Sequence, residues 1–336
     1  MICHDWRDEA PEVLVPLYAA ERRRWSQQLG WDLGPSLRLV EQARVAGDVP
    51  GLVLRDSRGL PAGWAYYILS QGSVQIGALN AATAGGLRLL LDRIFRSPEA
   101  HVAQELSCFL YPVSSSVVSA LNRQRFVLEH PEYLSVALQP SGPALGGQAA
   151  AADGSIRSWV EGDTAAAVRL IARTYAGDAS ARCFAPHGHL SEWAHYVGQL
   201  LHGPGCGAFL PEASLVAVSD ATPSGLGAAI VMTTIAPGTA HVAQLVVDPL
   251  LRRRGLAKQL IVAAAERARA AGARRLTLIV SPGNAPARAL YARLGFATIG
   301  TLLYGYRGAA PRRFAADPDV AQTPVGAGPS PSAPGL

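Results

Sequence analysis

The chain has 336 residues, enough for two ordinary domains, and 49% of them are apolar, which is ample material for buried cores. Thirty basic against 25 acidic side chains leave a net charge of +5, yet Lys258 is the only lysine, the arginines are scattered and aromatics make up 7%, so no nucleic-acid partner is expected. No apolar run has the length of a membrane span, the start carries no signal-peptide pattern, and the four cysteines lack pair spacing; a cytoplasmic protein with reduced thiols and no membrane partner is expected.

In chain order, residues 11–46 read as largely helical, with Val13, Leu14, Leu17 and Tyr18 on one face and the run Glu21-Arg22-Arg23-Arg24 as a solvated one. Strand-like runs follow at 51–55, 63–69 and 73–79, divided by Gly, Pro and Ser. A helix over 86–95, a strand over 106–111, a helix over 115–124 and a strand near 133–138 complete the first half. Residues 139–154 have the composition of a linker. The second half opens with a helix over 164–175 and a His/Gly/Pro-rich stretch over 177–212 that reads as irregular. Strands at 214–219, 226–235 and 241–247 lead to a helix over 256–269, a strand over 275–281, a helix over 287–294 and a strand pair around 302–307. Residues 309–336, a low-complexity tail rich in Pro, Ala and Gly, fall outside any fold.

The two halves repeat. At an offset of 170 residues, Leu106-Ser-Cys-Phe-Leu-Tyr-Pro112 lies on Leu276-Thr-Leu-Ile-Val-Ser-Pro282, Leu90 on Leu260, Phe126 on Phe296 and Gly85 on Gly255. In that alignment Ala82-Thr83-Ala84 faces Arg252-Arg253-Arg254, and Leu121 faces Tyr291. The first copy keeps the glycine but none of the arginines, nor the tyrosine.

The stretch 241–258 carries the strongest chemical signal. An apolar β-branched run stops at Asp248-Pro249, three arginines and a glycine follow, and a helix begins. Such a turn presents unpaired helix N-terminal N–H groups to a phosphate, with the dipole favouring negative charge and the arginines neutralising it. Gly255 lets the backbone approach closely and adopt positive φ.

Arg252-x-x-Gly255-x-Ala257 after a strand resembles the acyl-CoA motif of the GNAT superfamily of N-acetyltransferases. Asn284-x-x-Ala287-x-x-Leu290-Tyr291-x-x-x-Gly295-Phe296 is similar to that family's second motif. The resemblance implies an α/β protein of two tandem GNAT-like domains, each a mixed, mostly antiparallel sheet flanked by helices, as in mycothiol synthases: a degenerate copy over 1–138 and a catalytic one over 155–308. It implies acetyl-CoA as co-substrate. Arg252, Arg253, Arg254, Gly255, Leu256, Ala257 and Lys258 would hold its phosphates, with Asn284 and Arg288 alongside. The main chain of Leu245, Val246 and Val247, in a splayed strand, would meet the thioester.

Tyr291 aligns with the tyrosine that many members use as general acid. His241 lies where several members carry a Glu base; an ordinary strand residue is the equal alternative. Where ribosomal-protein alanine acetyltransferases place a Glu stands Ile279, so that mechanism does not carry over. Cys183, His187, His189, His195, His202 and Cys206 lack the spacing of a zinc site, and no metal is expected. Phe184, His187, Trp193, Tyr196 and Phe209 are expected to line the acceptor pocket. The reaction implied is direct acetyl transfer to a primary amine of a small molecule. A protein or peptide N-acetyltransferase, or a non-catalytic acyl-CoA-binding regulator, are the alternatives.

Overall fold

A computed structural model describes residues 1–308 except 71, 142, 146–155 and 204, together with the backbone but not the side chains of residues 179 and 180. The expected tail over 309–336 and most of the expected linker lie outside the described residues. The first half comprises β1 (Ile2–Asp5), α1 (Pro11–Leu29), α2 (Gly34–Ala46), β2 (Gly51–Arg55), β3 (Pro61–Ser70), β4 (Ser73–Ala81), α3 (Ala84–Phe95), α4 (Pro98–Val102), β5 (Glu105–Leu110), α5 (Ser115–Arg123), β6 (Val127–Glu129) and β7 (Glu132–Ala137). The second comprises β8 (Ile156–Ser158), α6 (Thr164–Thr174), α7 (Leu190–His202), β9 (Ala208–Phe209), β10 (Leu215–Val218), β11 (Leu226–Ala236), β12 (Thr239–Val247), α8 (Leu256–Ala270), β13 (Arg275–Val280), α9 (Ala285–Arg293), β14 (Ala297–Thr301) and β15 (Leu303–Gly308).

Strands β1, β6, β8 and β9 and helices α4 and α7 go beyond the expected elements. Strand β1 pairs with β2 along four residues. Helix α7 occupies much of the stretch expected to be irregular: Trp193, Val197 and Leu200 recur at i, i+4 and i+7 and are buried. Its start is fixed by Glu192, whose carboxylate accepts from the N–H groups of His187 and His189 at 3.0 Å each. Apart from Gly198, the Gly and Pro residues that mask this periodicity flank the helix in sequence, Pro186 and Gly188 before it and Gly203, Gly205, Gly207 and Pro211 after it.

Each half builds one mixed sheet with helices on both faces. The strand orders are β1-β2-β3-β4-β5-β15-β6 and β14-β7-β13-β12-β11-β10-β8, with β9 added beside β11. All neighbours run antiparallel except the central pairs β4–β5 and β12–β13. These orders contain an exchange. Strand β7, made by the first half, pairs with β13 from Ala137↔Arg275 to Glu132↔Val280, while β15 pairs with β5 from Leu303↔Leu110 to Gly308↔Glu105. Each half leaves a slot beside its own parallel strand, and the other half's last strand fills it. The chain crosses over at once: the N–H of Leu138 donates to the Arg274 carbonyl, and Ala144 and Leu145, within the expected linker, are buried in the second half's core.

The exchange welds the halves. Trp25, Leu29, Trp31, Tyr133, Ile235 and Leu302 form one apolar cluster drawn from both. The N–H of Asp32 donates to the Ile235 carbonyl at 2.9 Å. Between the halves, Arg182 and Glu105 also form an almost fully buried ion pair.

Candidate active site

The β12–β13 pair opens into a fork. Parallel pairing runs for four rungs, from Thr239↔Arg275 to Val242↔Leu278, and then stops although both strands continue. On its other edge β12 stays paired with β11, with a register shift between Val231↔Gln244 and Met232↔Val242 that leaves Ala243 as a bulge. A bulge bends its strand and increases the twist, and here it coincides with the vertex. Leu245, Val246 and Val247 lie on the diverging arm, with one edge facing the opening.

At the far end of that arm the basic turn is anchored by Asp248, a buried residue whose Oδ1 accepts from the N–H of Leu250 and whose own N–H donates to the Gly227 carbonyl. Arg253 has φ 66° and Gly255 φ 84°, so the backbone reverses twice before α8 begins. Gly255 occupies the N-cap position, and no side chain caps the helix. The first helical bond runs from the N–H of Gln259 to the Gly255 carbonyl, leaving the N–H groups of Leu256, Ala257 and Lys258 with no carbonyl one turn behind them. Arg252, Arg253, Arg254, Gly255 and Lys258 are exposed around that N-terminus. Leu260, Ile261, Ala264, Ala265 and Ala268 hold α8 against the sheet from its other face.

Tyr291 projects from α9, the helix after the second arm of the fork. Asn284 caps this helix, its Oδ1 accepting from the N–H of Ala287 at 3.2 Å. Burial first, and Tyr175 nearby second, push the Tyr291 phenol up, which keeps its proton in place at neutral pH. The uncapped basic start of α8 follows one arm of the open parallel fork, and α9 with its protonated phenol follows the other, an arrangement suited to a long anionic ligand with a reactive end.

Residues 178–296 match the family model for acetyltransferases of the GNAT family. This segment is a GNAT acetyltransferase domain. No curated protein matches its sequence. Among solved structures it is similar to a GCN5-related N-acetyltransferase from Sphaerobacter thermophilus, with a TM-score of 0.61 and 15% identity over 92% of this chain and 96% of that one. A tandem GNAT protein from the clavulanic acid biosynthesis pathway shares the fold at a TM-score of 0.54 and 15% identity, over 79% of this chain and 84% of its own. So does a GCN5-related glucosamine N-acetyltransferase region of a fungal multi-domain β-N-acetylglucosaminidase, at 0.59 and 15%, over 91% and 38%. At such identities the likeness is one of fold.

Within the GNAT domain the other expected residues fall in two groups. Arg288, exposed on α9, is held away from the turn by Glu132 on the exchanged strand, to which it donates at 2.9 and 3.1 Å. His241 is buried, 3% exposed, beneath Trp31 (ring centroids 5.0 Å apart) and beside Tyr133 (6.1 Å). Its Nδ1 lies 2.9 Å from Thr277 Oγ1, and that hydroxyl donates to the Ala240 carbonyl, so Nδ1 carries the hydrogen. Burial pushes the imidazole down to about 3. A base with so little affinity for a proton does not suit pH 7, which weighs against the base role expected for His241.

Of the acceptor-side candidates, Phe184, Trp193 and Tyr196 pack together with Tyr175, with ring centroids 4.7 to 6.4 Å apart. His187 is tied to Glu192 (Nδ1 to Oε1 2.7 Å), and Phe209 pairs through β9 with Thr233. Two residues escaped notice in the sequence, Gln244 and Tyr175. The signal available was a lone amide in an otherwise apolar strand.

The first half's equivalent region differs more than a loss of arginines. Its parallel pairing also stops after four rungs, at Ile76↔Cys108, beside a bulge at Gly77. The step from strand to helix takes only residues 82–83, against 248–255 in the second half, so Gly85 lies within α3 and does not match Gly255 at its N-cap. Thr83 Oγ1 caps α3, accepting from the N–H of Gly86 at 3.1 Å. Glu21 of α1 closes on the diverging arm, accepting from Asn80, Arg24 and Trp25.

Proposed function

We propose that the second half transfers an acetyl group from acetyl-CoA to a primary amine of a small molecule by direct attack, and that the first half is a degenerate copy that shapes the acceptor side. The observation that carries this reading is the uncapped, arginine-ringed start of α8 joined by one strand to an open fork, a combination present in the second half and replaced in the first by a short turn with a capped helix. The residues fit a CoA thioester: Gly255 at φ 84° has no neighbour within 4 Å of a built Cβ, so a phosphate can approach its backbone. Bound there, acetyl-CoA supplies an acetyl group already activated as a thioester.

The N–H groups of Leu256, Ala257 and Lys258, with Arg253 and Arg254, hold the pyrophosphate in this reading. Arg252 joins them on leaving the Thr174 carbonyl, to which it donates at 3.3 Å. Main-chain N–H groups of Leu245 and Val247 on the open edge stabilise negative charge developing on the carbonyl oxygen, whereas that of Val246, two residues before the Asp248 N–H that donates to the Gly227 carbonyl, turns to β11. Tyr291, kept protonated by burial, gives its proton to the departing sulfur, and the proton that the attacking nitrogen loses restores the phenol. His241 serves through its shape and its bond to Thr277 rather than as a base. Arg288 stays with Glu132, and Asn284 acts as the cap of α9. A small acceptor is favoured over a peptide because Trp31, Tyr133 and Leu302 cover the face of the fork beneath which His241 lies.

A thiol-release assay with the full chain and a panel of small amines and peptides tests the proposal. Turnover is expected with a small amine and not with peptides. Acetyl-CoA binding without CoA release from any amine would instead identify a regulator. Unchanged acetyl-CoA affinity in Arg254→Ala would refute the assigned site.

A further inference from the structure

The last turn of α6 touches the strand and turn of the fork at three successive residues. Arg173 Nε lies 3.4 Å from Asp248 Oδ2, the Thr174 carbonyl accepts from Arg252, and the Tyr175 hydroxyl oxygen accepts from Gln244 Nε2 at 2.9 Å. At its other end Gln244 Oε1 accepts from the Tyr196 hydroxyl at 2.8 Å. Gln244 is 5% exposed and directly follows the bulge residue Ala243, where β12 leaves β13. A buried amide in an apolar strand is costly unless both of its ends are paired. Here both are, each by a phenol.

A carboxamide is a directional link, because one end only accepts and the other only donates. In the arrangement found, Tyr196 gives its proton to Oε1 and Tyr175 receives one from Nε2. The Tyr175 oxygen therefore already holds an incoming hydrogen bond from Gln244, and its own proton points elsewhere. Tyr175 is half-buried, is tied by Gln244 to β12 at the point where the fork opens, and contributes after burial to raising the Tyr291 phenol of α9. We propose that Gln244 is a positioning residue which, by accepting from Tyr196 and donating to Tyr175, turns the Tyr175 O–H toward the open edge of the fork to contact the thioester end of an acyl-CoA. This rests on the acyl-CoA reading above and adds to it a donor outside the main chain.

The test is calorimetric titration of the full chain with acetyl-CoA and, separately, with free CoA, which shares the phosphates but lacks the acyl oxygen. Gln244→Glu keeps the size of the side chain but at neutral pH offers only acceptors, so Tyr175 must donate to it and its proton is withdrawn from the fork. Gln244→Glu and Tyr175→Phe should each weaken acetyl-CoA binding by roughly three- to tenfold, the worth of one hydrogen bond, and leave CoA binding unchanged. The Gln244→Glu deficit should shrink as pH falls and the new carboxyl, once protonated, again offers an O–H to Tyr175; the Tyr175→Phe deficit should not. A purely structural role would weaken both ligands together and show no such recovery.

Were the carboxamide reversed, Tyr175 would already donate to it, and Gln244→Glu would leave acetyl-CoA affinity where it was; that result overturns the proposal. If Gln244→Glu does not fold, Tyr196→Phe, which frees the amide to turn, should give a smaller loss for acetyl-CoA alone, and no change there is equally fatal. A native chain that binds neither ligand refutes the acyl-CoA reading and this inference with it. Normal binding of both by every variant refutes the inference alone.

Discussion

Replacing Gly255 by valine separates the backbone's part in ligand binding from that of the arginines. Gly255 sits at φ 84°, with nothing within 4 Å of where a Cβ would stand, so the substitution meets no steric obstacle and acts through conformation alone. A residue with a Cβ in the left-handed region costs ~1–2 kcal/mol, and a β-branched one more. The chain can escape that cost by rotating the turn, which swings the N–H groups of Leu256, Ala257 and Lys258 off their common focus. A hydrogen bond to a charged group is worth ~1.5–3 kcal/mol, so the loss of even one should weaken acetyl-CoA binding by about 10- to 150-fold. Gly85→Ala is the matched control: Gly85 has no positive φ, and the nearest atom to a built Cβ, Thr83 Oγ1, is 3.9 Å away. It should leave binding alone and stabilise α3 by up to ~1 kcal/mol. Calorimetry with acetyl-CoA, alongside a urea unfolding curve, reads both. Binding by Gly255→Val within twofold of the native chain, with the fold intact, would refute the helix N-terminal site.

Tyr291→Phe should lower kcat by ~10²–10⁴-fold in the thiol-release assay while acetyl-CoA affinity, measured separately, stays the same; unchanged kcat would remove Tyr291 from proton transfer. His241 has a folded pKa of about 3 against an ordinary 6.5, so between those values the unfolded chain binds the extra proton. Its penalty is absent above pH 6.5 and grows as pH falls, reaching on the order of 4 kcal/mol near pH 3. His241→Asn should therefore lose less stability than the native chain between pH 6.5 and 4, as read by urea midpoints; parallel curves would show that His241 does not titrate across unfolding. Removing one partner of the buried pair, Arg182→Met or Glu105→Leu, should cost ~3–5 kcal/mol, and the double substitution much less than the sum. Additive urea midpoints would show that the two groups do not act as a pair.

Much of the site was legible because its signals are local. The strand at 241–247, the helix at 256–269 and the tyrosine at 291 follow from an apolar run broken by Asp-Pro, a 3.6-residue period and two motifs in fixed order. What escaped is non-local. Residues 132–137 and 303–308 carry the aromatic and apolar residues of strands, but such composition does not say which sheet a strand enters. His241 owes its burial partly to Trp31, more than two hundred positions upstream, so nothing near it in sequence marks it as neutral. The gapless offset of 170 holds for the second strand of each parallel pair, yet Ser73 and Thr239 occupy the same rung opposite Glu105 and Arg275. The first strands are thus four residues out of step, and the short turn at 82–83 looked like a substitution when it is a deletion.

The exchanged strands bear on how this chain reaches its folded state and on how it can be dissected. When residues 1–138 have left the ribosome, the first sheet still lacks the strand between β5 and β6, which arrives with residues 303–308. Strand β7 meanwhile waits for β13, more than a hundred residues later in synthesis. Neither half completes its hydrogen-bond ladder before nearly all of the described chain exists. Fragments cut between the halves would each carry a surplus strand and an empty slot. They should regain structure only when mixed, and acetyl transfer should return only in the reassembled pair.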